Sequence, residues 1–135
     1  MNILGVDLEF DFFDADKVDL YEAENKKVAE RIKEPTQYEG KTTGQSFRIQ
    51  CGIVDDFFNS VFGPGTAEKL FKGKANLREH MEAFAQVSDA AMATKDDISA
   101  LTEKYSPNRA QRRADAKQNT RNFNRHNSAY NHSKH

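Results

Sequence analysis

The stretch FRIQCGIVDDFFNSVF, residues 47–62, decides how this chain folds. Phe47, Cys51, Val54, Phe58 and Val61 recur at helical spacing, with Ile53, Phe57 and Phe62 beside them. Arg48, Gly52, Asp55 and Asn59 leave only a narrow polar stripe. A helix apolar around most of its circumference must be wrapped by other helices or by another subunit. Gly63-Pro64-Gly65 ends it: Gly63 suits a left-handed residue after the helix, and Pro64 cannot continue. Thr66 is expected to cap a short turn, TAEKLF, that returns Leu70 and Phe71 to the core.

Outward from this helix, the rest of the chain reads as its wrapping. Residues 3–13 alternate, with Leu4, Val6, Leu8, Phe10 and Phe12 on one face, the period of a half-buried strand. A lone strand leaves its backbone unpaired, so a hairpin partner is needed, either around Tyr38–Phe47 or from a neighbouring subunit. Asp14 and Asp16 offer cap oxygens to a helix running to about Lys33, whose inner side carries Val18, Tyr21, Val28 and Ile32. Pro35 stops it by steering Glu34 out of the helical region, and a polar loop follows. Asn76 and Glu79 form a cap pair for a helix bearing Leu77, Met81, Phe84, Val87 and Ala91. Thr94 and Asp97 are read as starting a separate last helix with Ile98, Leu101 and Tyr105 on its face. His80, flanked by Glu79 and Glu82, is read as part of a solvated face. The fold class is mainly α: a small helical bundle over residues 1–105 with an N-terminal β-strand or hairpin element, then a disordered basic tail, 106–135.

Charge divides along the same line. Residues 1–104 hold thirteen Lys/Arg against twenty Asp/Glu, while 105–135 hold seven against one, Asp115. A body and tail of opposite sign attract each other or address different partners. Arg109, Arg112, Arg113 and Lys117 sit in a segment, NRAQRRADAKQ, able to become helical on a protein partner. Phosphate contacts by these residues together with Arg121 and Arg125, with Phe123 and Tyr130 stacking on bases, are the nucleic-acid alternative. Sparse charge and an acidic body weigh against that reading, and a merely solubilising tail stays open beside both.

No catalytic, cofactor or metal pattern emerges. The single cysteine, Cys51, excludes an internal disulfide and lies on an apolar face, where an inert thiol is expected. Asp14 and Asp16 resemble the opening of a calcium loop, but Asp19 stands where such a loop needs glycine and Asn25 where it needs glutamate. GPGTAEKLFKGK lacks the order of a phosphate-cradling loop. Asp55-Asp56 and Asp96-Asp97 are neighbours whose side chains diverge on a helix, so neither pair shares a proton. No signal peptide or membrane span is apparent, and a non-enzymatic cytoplasmic protein is expected.

The order of the capped helix, C-x-x-V-x-D-F-F-x-x-V-F-G-x-G-T-x-x-K-L-F (Cys51 to Phe71), NLREHMEAF and NRAQRR resembles the small tail assembly chaperones of siphophages and prophages of Gram-positive bacteria. The resemblance implies a protein that coats the tape-measure protein, recruits tail-tube subunits and is absent from the finished virion. It implies a homo-oligomer, with Phe57, Phe58, Phe62, Leu70 and Phe71 supplying core and client or self-association surface. Arg109, Arg112, Arg113 and Lys117 would then meet an oppositely charged client or tube subunit. A structural component retained in the virion is the nearest alternative.

Overall fold

The computed structural model describes residues 1–105, and over these the protein is mainly helical with a small antiparallel hairpin at its start. Strands β1 (Asn2–Ile3) and β2 (Val6–Asp7) pair Asn2 with Asp7 and Ile3 with Val6. The segment read as one continuous strand thus supplies its own partner. Neither residues 38–47 nor another subunit is needed for it. The reversal falls on Leu4 and Gly5, both at positive φ (50° and 83°), the pattern of a tight type I′ hairpin turn. Only glycine takes this geometry freely, so Leu4 carries strain that the flanking pairs hold in place. The Asn2 side chain accepts from the Gly5 N–H at 3.0 Å, and Gln86 accepts from the Leu4 N–H at 3.0 Å, tying the turn to a distant helix. Beyond β2, alternation still sorts the side chains: Leu8 and Phe12 are buried and Phe10 is half-buried.

Helix α1 (Ala15–Lys33) begins as expected, with Asp14 accepting from the N–H groups of Asp16 and Lys17. Tyr21 and Val28 are its buried residues, and Glu34 leaves the helical region before Pro35. The following loop opens with a turn of 3-10 helix, Pro35–Tyr38. Glu34 accepts from the N–H groups of Thr36 and Gln37 there, and Tyr38 donates to the Ile32 carbonyl at 2.7 Å.

Helix α2 (Thr43–Phe62) starts earlier than its apolar run, behind a reciprocal cap between Thr42 and Gln45. It is wrapped from several sides. Phe57 meets Tyr21 of α1, Phe58 meets Phe71, and Phe62 meets Phe10 at ring-centroid distances of 6.1, 5.8 and 5.3 Å. Phe57 also meets Phe84 edge-on at 4.9 Å. Edge-to-face aromatic contacts of this kind add to the gain from burying area alone. Phe47, placed in the apolar row by its spacing, is instead exposed, because it stands in the first turns of α2, outside the core cluster.

Gly63 closes α2 at φ 113° and ψ 156°, an extended glycine-only conformation instead of the expected left-handed helical one. Thr66 does not cap the short helix α3 (Thr66–Phe71). It is the first helical residue and donates its hydroxyl back to the Gly63 carbonyl at 2.7 Å. The cap comes from α2, where the Asn59 side chain accepts from the Ala67 N–H at 3.0 Å.

Helix α4 (Leu77–Lys104) is one continuous helix of 28 residues, not two. Asn76 accepts from the Glu79 N–H at 3.0 Å at its start. Thr94, expected to begin a new helix, bonds its hydroxyl back to the Ala90 carbonyl at 2.9 Å, an interaction compatible with uninterrupted helix. Leu77, His80, Phe84, Val87, Ala91, Thr94, Ile98, Leu101 and Tyr105 follow one another at alternating spacings of three and four, an unbroken heptad seam. The chain divides into two compact units at Lys95/Asp96, partway along this helix.

Candidate functional site

The chemically distinctive place within residues 1–95 is built where α2, α3 and the start of α4 meet. His80 was expected on a solvated face, and it is completely buried. Its position explains why: it lies four residues before Phe84 and seven before Val87, on the seam and not among the flanking acids. Its ring stacks on Phe71 with centroids 3.6 Å apart and planes at 14°. Nδ1 lies 2.7 Å from the Asn76 carbonyl oxygen, an acceptor only, so Nδ1 donates. Nε2 lies 2.8 Å from Asp55 Oδ1. Both ring nitrogens are therefore engaged, and no buried side-chain polar atom among the described residues lacks a partner.

Asp55 and Asp56 diverge as adjacency on a helix requires, and each takes a different helix. Asp55 reaches His80 on α4, while Asp56 pairs with Arg31 of α1 at 2.9 Å. The Asp56 pair is open to water on both sides and contributes little. The Asp55 pair has one fully buried member, so removing Asp55 strands the buried His80 Nε2, whereas Asp55 left alone still meets water.

Cys51, one turn before Asp55, is buried, and burial pushes its thiol up in pKa, with the Asp55 carboxylate adding to the effect. A thiol held in its protonated form is a poor nucleophile. A cleft of about 150 Å³ opens alongside, lined by Arg48, Cys51, Asp55, Glu68 and Lys74 among others. Its charges are mixed and its volume is below that of ordinary small-molecule sites. Among the described residues, no three metal-binding side chains converge, and no helix is long and apolar enough to cross a membrane.

The residues expected to bind protein are placed as follows. Phe57, Phe58, Leu70 and Phe71 lie in the core, and Phe62 is half-buried against it. Arg109, Arg112, Arg113 and Lys117, with the expected disordered tail, lie outside the described residues.

The chain belongs to the family of unknown function DUF6673, whose model matches residues 4–116. No curated protein and no solved structure matches the chain.

Proposed function

We propose that the chain is a non-enzymatic tail assembly chaperone, binding a tape-measure protein or tail-tube subunits while a siphophage-type tail is built. The observation that carries this reading is the behaviour of the stretch Cys51–Phe71, on which the resemblance rests. It forms one interlocked reversal, with Asn59 capping α3 and Phe58 packed on both Phe62 and Phe71. Those residues are spent on building a rigid helical scaffold, as a binding protein needs, and not on presenting reactive groups. His80 supports the same reading, since both its nitrogens are committed to holding α4 against α2. In this role the protein works in the host cytoplasm as a homo-oligomer and leaves before the virion is complete.

The test is a pull-down of the tagged full chain from cells expressing its neighbouring genes, with and without nuclease. Recovery of a long helical protein or a tube subunit, unaffected by nuclease, is the expected result. Loss of every partner on nuclease treatment would overturn it in favour of nucleic-acid binding through Arg109–Arg125. Presence of the chain in purified virions would instead make it a structural component.

A further inference from the structure

The end of α4 is helical and exposed. Every residue from Lys95 to Tyr105 is exposed, including Ile98 (37%), Leu101 (46%) and Tyr105 (71%). Isolated exposed apolar residues are ordinary on any surface. These three differ, because they occupy consecutive seam positions of the heptad that buries His80 and Val87 earlier in the same helix. A helical segment of this length is marginal in water without packing. A seam of this spacing is the shape another helix recognises.

Charge selects the occupant. In this heptad Asp97 and Lys104 both hold the position just before a seam residue, on one edge of the stripe. In a parallel pair, Asp97 would face the partner's Thr102 and gain no opposite charge. In an antiparallel pair with a two-fold axis between residues 99 and 100, Ile98 meets the partner's Leu101. The same axis sets Asp97 against the partner's Lys104, and the symmetry repeats both contacts. One sequence therefore supplies both halves of a self-complementary surface, apolar in the middle and oppositely charged along its edge.

We propose that Asp97, Ile98, Leu101 and Lys104 form a self-association site, at which two copies of the chain pair through antiparallel α4 ends. This deepens the homo-oligomer within the chaperone reading, but it rests on α4 alone. The buried interface is short, so the dimer is weak and reversible.

Sedimentation velocity on the full chain over a wide concentration range tests it. The expected result is a reversible monomer–dimer equilibrium. Ile98→Glu/Leu101→Glu abolishes the dimer while leaving the thermal melt of the body in place. Asp97→Lys weakens pairing roughly tenfold by turning two attractive edge contacts repulsive, and Asp97→Lys/Lys104→Asp restores it. The double charge exchange also covers the case in which the glutamate variant fails to fold. A monomer at every concentration overturns the proposal, as does a dimer indifferent to Ile98→Glu/Leu101→Glu or not rescued by the exchange. Repeating the pull-down on these variants separates the two ideas. Client capture by a chain that never dimerises sinks the pairing alone, and a dimer with no client sinks the chaperone reading alone. A client helix lost with Ile98→Glu/Leu101→Glu from a monomeric chain would hand the seam to that client.

Discussion

The two ends of α4 carry the same repeat and meet different fates. From Leu77 to Ala91 the seam is covered: His80 and Val87 are fully buried, and Phe84 packs edge-on against Phe57. From Ile98 to Tyr105 the seam is exposed, increasingly so toward Tyr105. Heptad spacing therefore marks a face able to pack, and says nothing about whether or by what it is covered. In the first half the cover is this chain's own α2 and α3. In the second half Ile98, Leu101 and Tyr105 stay exposed.

Substitutions on the seam test this contrast most directly. Val87→Asp places an unpaired charge at a fully buried site and is expected to cost about 4 kcal/mol or more, removing the cooperative thermal transition. Leu101→Asp, at dilution, is expected to shift stability by no more than about 0.5 kcal/mol. Equal effects at the two positions would break the comparison.

Next in size comes the polar lock in the covered half. His80→Ala loses the stack on Phe71 and both hydrogen bonds and is expected to cost about 3 kcal/mol in denaturant melts. Asp55→Asn should cost about 1 kcal/mol, because the Asp55 side chain is partly open to water. In the double variant the two losses should fall short of adding, since both remove one contact. Strict additivity would show that the His80–Asp55 contact itself adds nothing to stability.

A chemical probe sharpens the same contrast. Cys51 is buried with its thiol pKa raised, so alkylation near neutral pH should follow unfolding and become fast only in denaturant. A cysteine introduced by Leu101→Cys should label at once in the native protein. Rapid native labelling of Cys51 would mean that α2 opens readily.

The smallest effect lies at an exposed turn. Bonds from the Thr36 hydroxyl and N–H, with a further one from the Gln37 N–H, hold the Glu34 carboxyl below its ordinary pKa despite some opposing desolvation. A depressed carboxyl stabilises the fold above its unfolded pKa, and that contribution is lost as pH falls through the folded one. Acidification below the usual glutamate range should therefore fray Pro35–Tyr38 locally, seen as faster amide exchange at Thr36 and Gln37. Glu34→Gln should show weaker protection there already at neutral pH.

Much of the fold was legible because its signals are local. Asp14 caps α1, Pro35 stops it, Asn76 caps α4, and the apolar row of α2 is buried from Cys51 onward. Each depends on backbone geometry within a few residues, and neighbouring side chains alone supply it. The site was less legible. Nothing near His80 in sequence tells that its ring will lie on Phe71 and bond Asp55, which is 25 residues away along the chain. The seam spacing that places His80 inward was readable, but the acids beside it suggested solvent.

What the sequence determined by itself was most of the helices, many of their ends and the faces they must hide, though not that α4 runs unbroken past Thr94. Tertiary structure decided the choices between equally local options. It folded residues 2–7 back into a hairpin where alternation allowed one strand, and it let α2 cap α3 through Asn59 in place of Thr66. It also turned His80 from a surface residue into a buried link. The physical reason is common to all three. Periodicity and capping act within a turn or two of backbone, whereas the partner of a buried polar group or an apolar face is fixed only when distant elements pack.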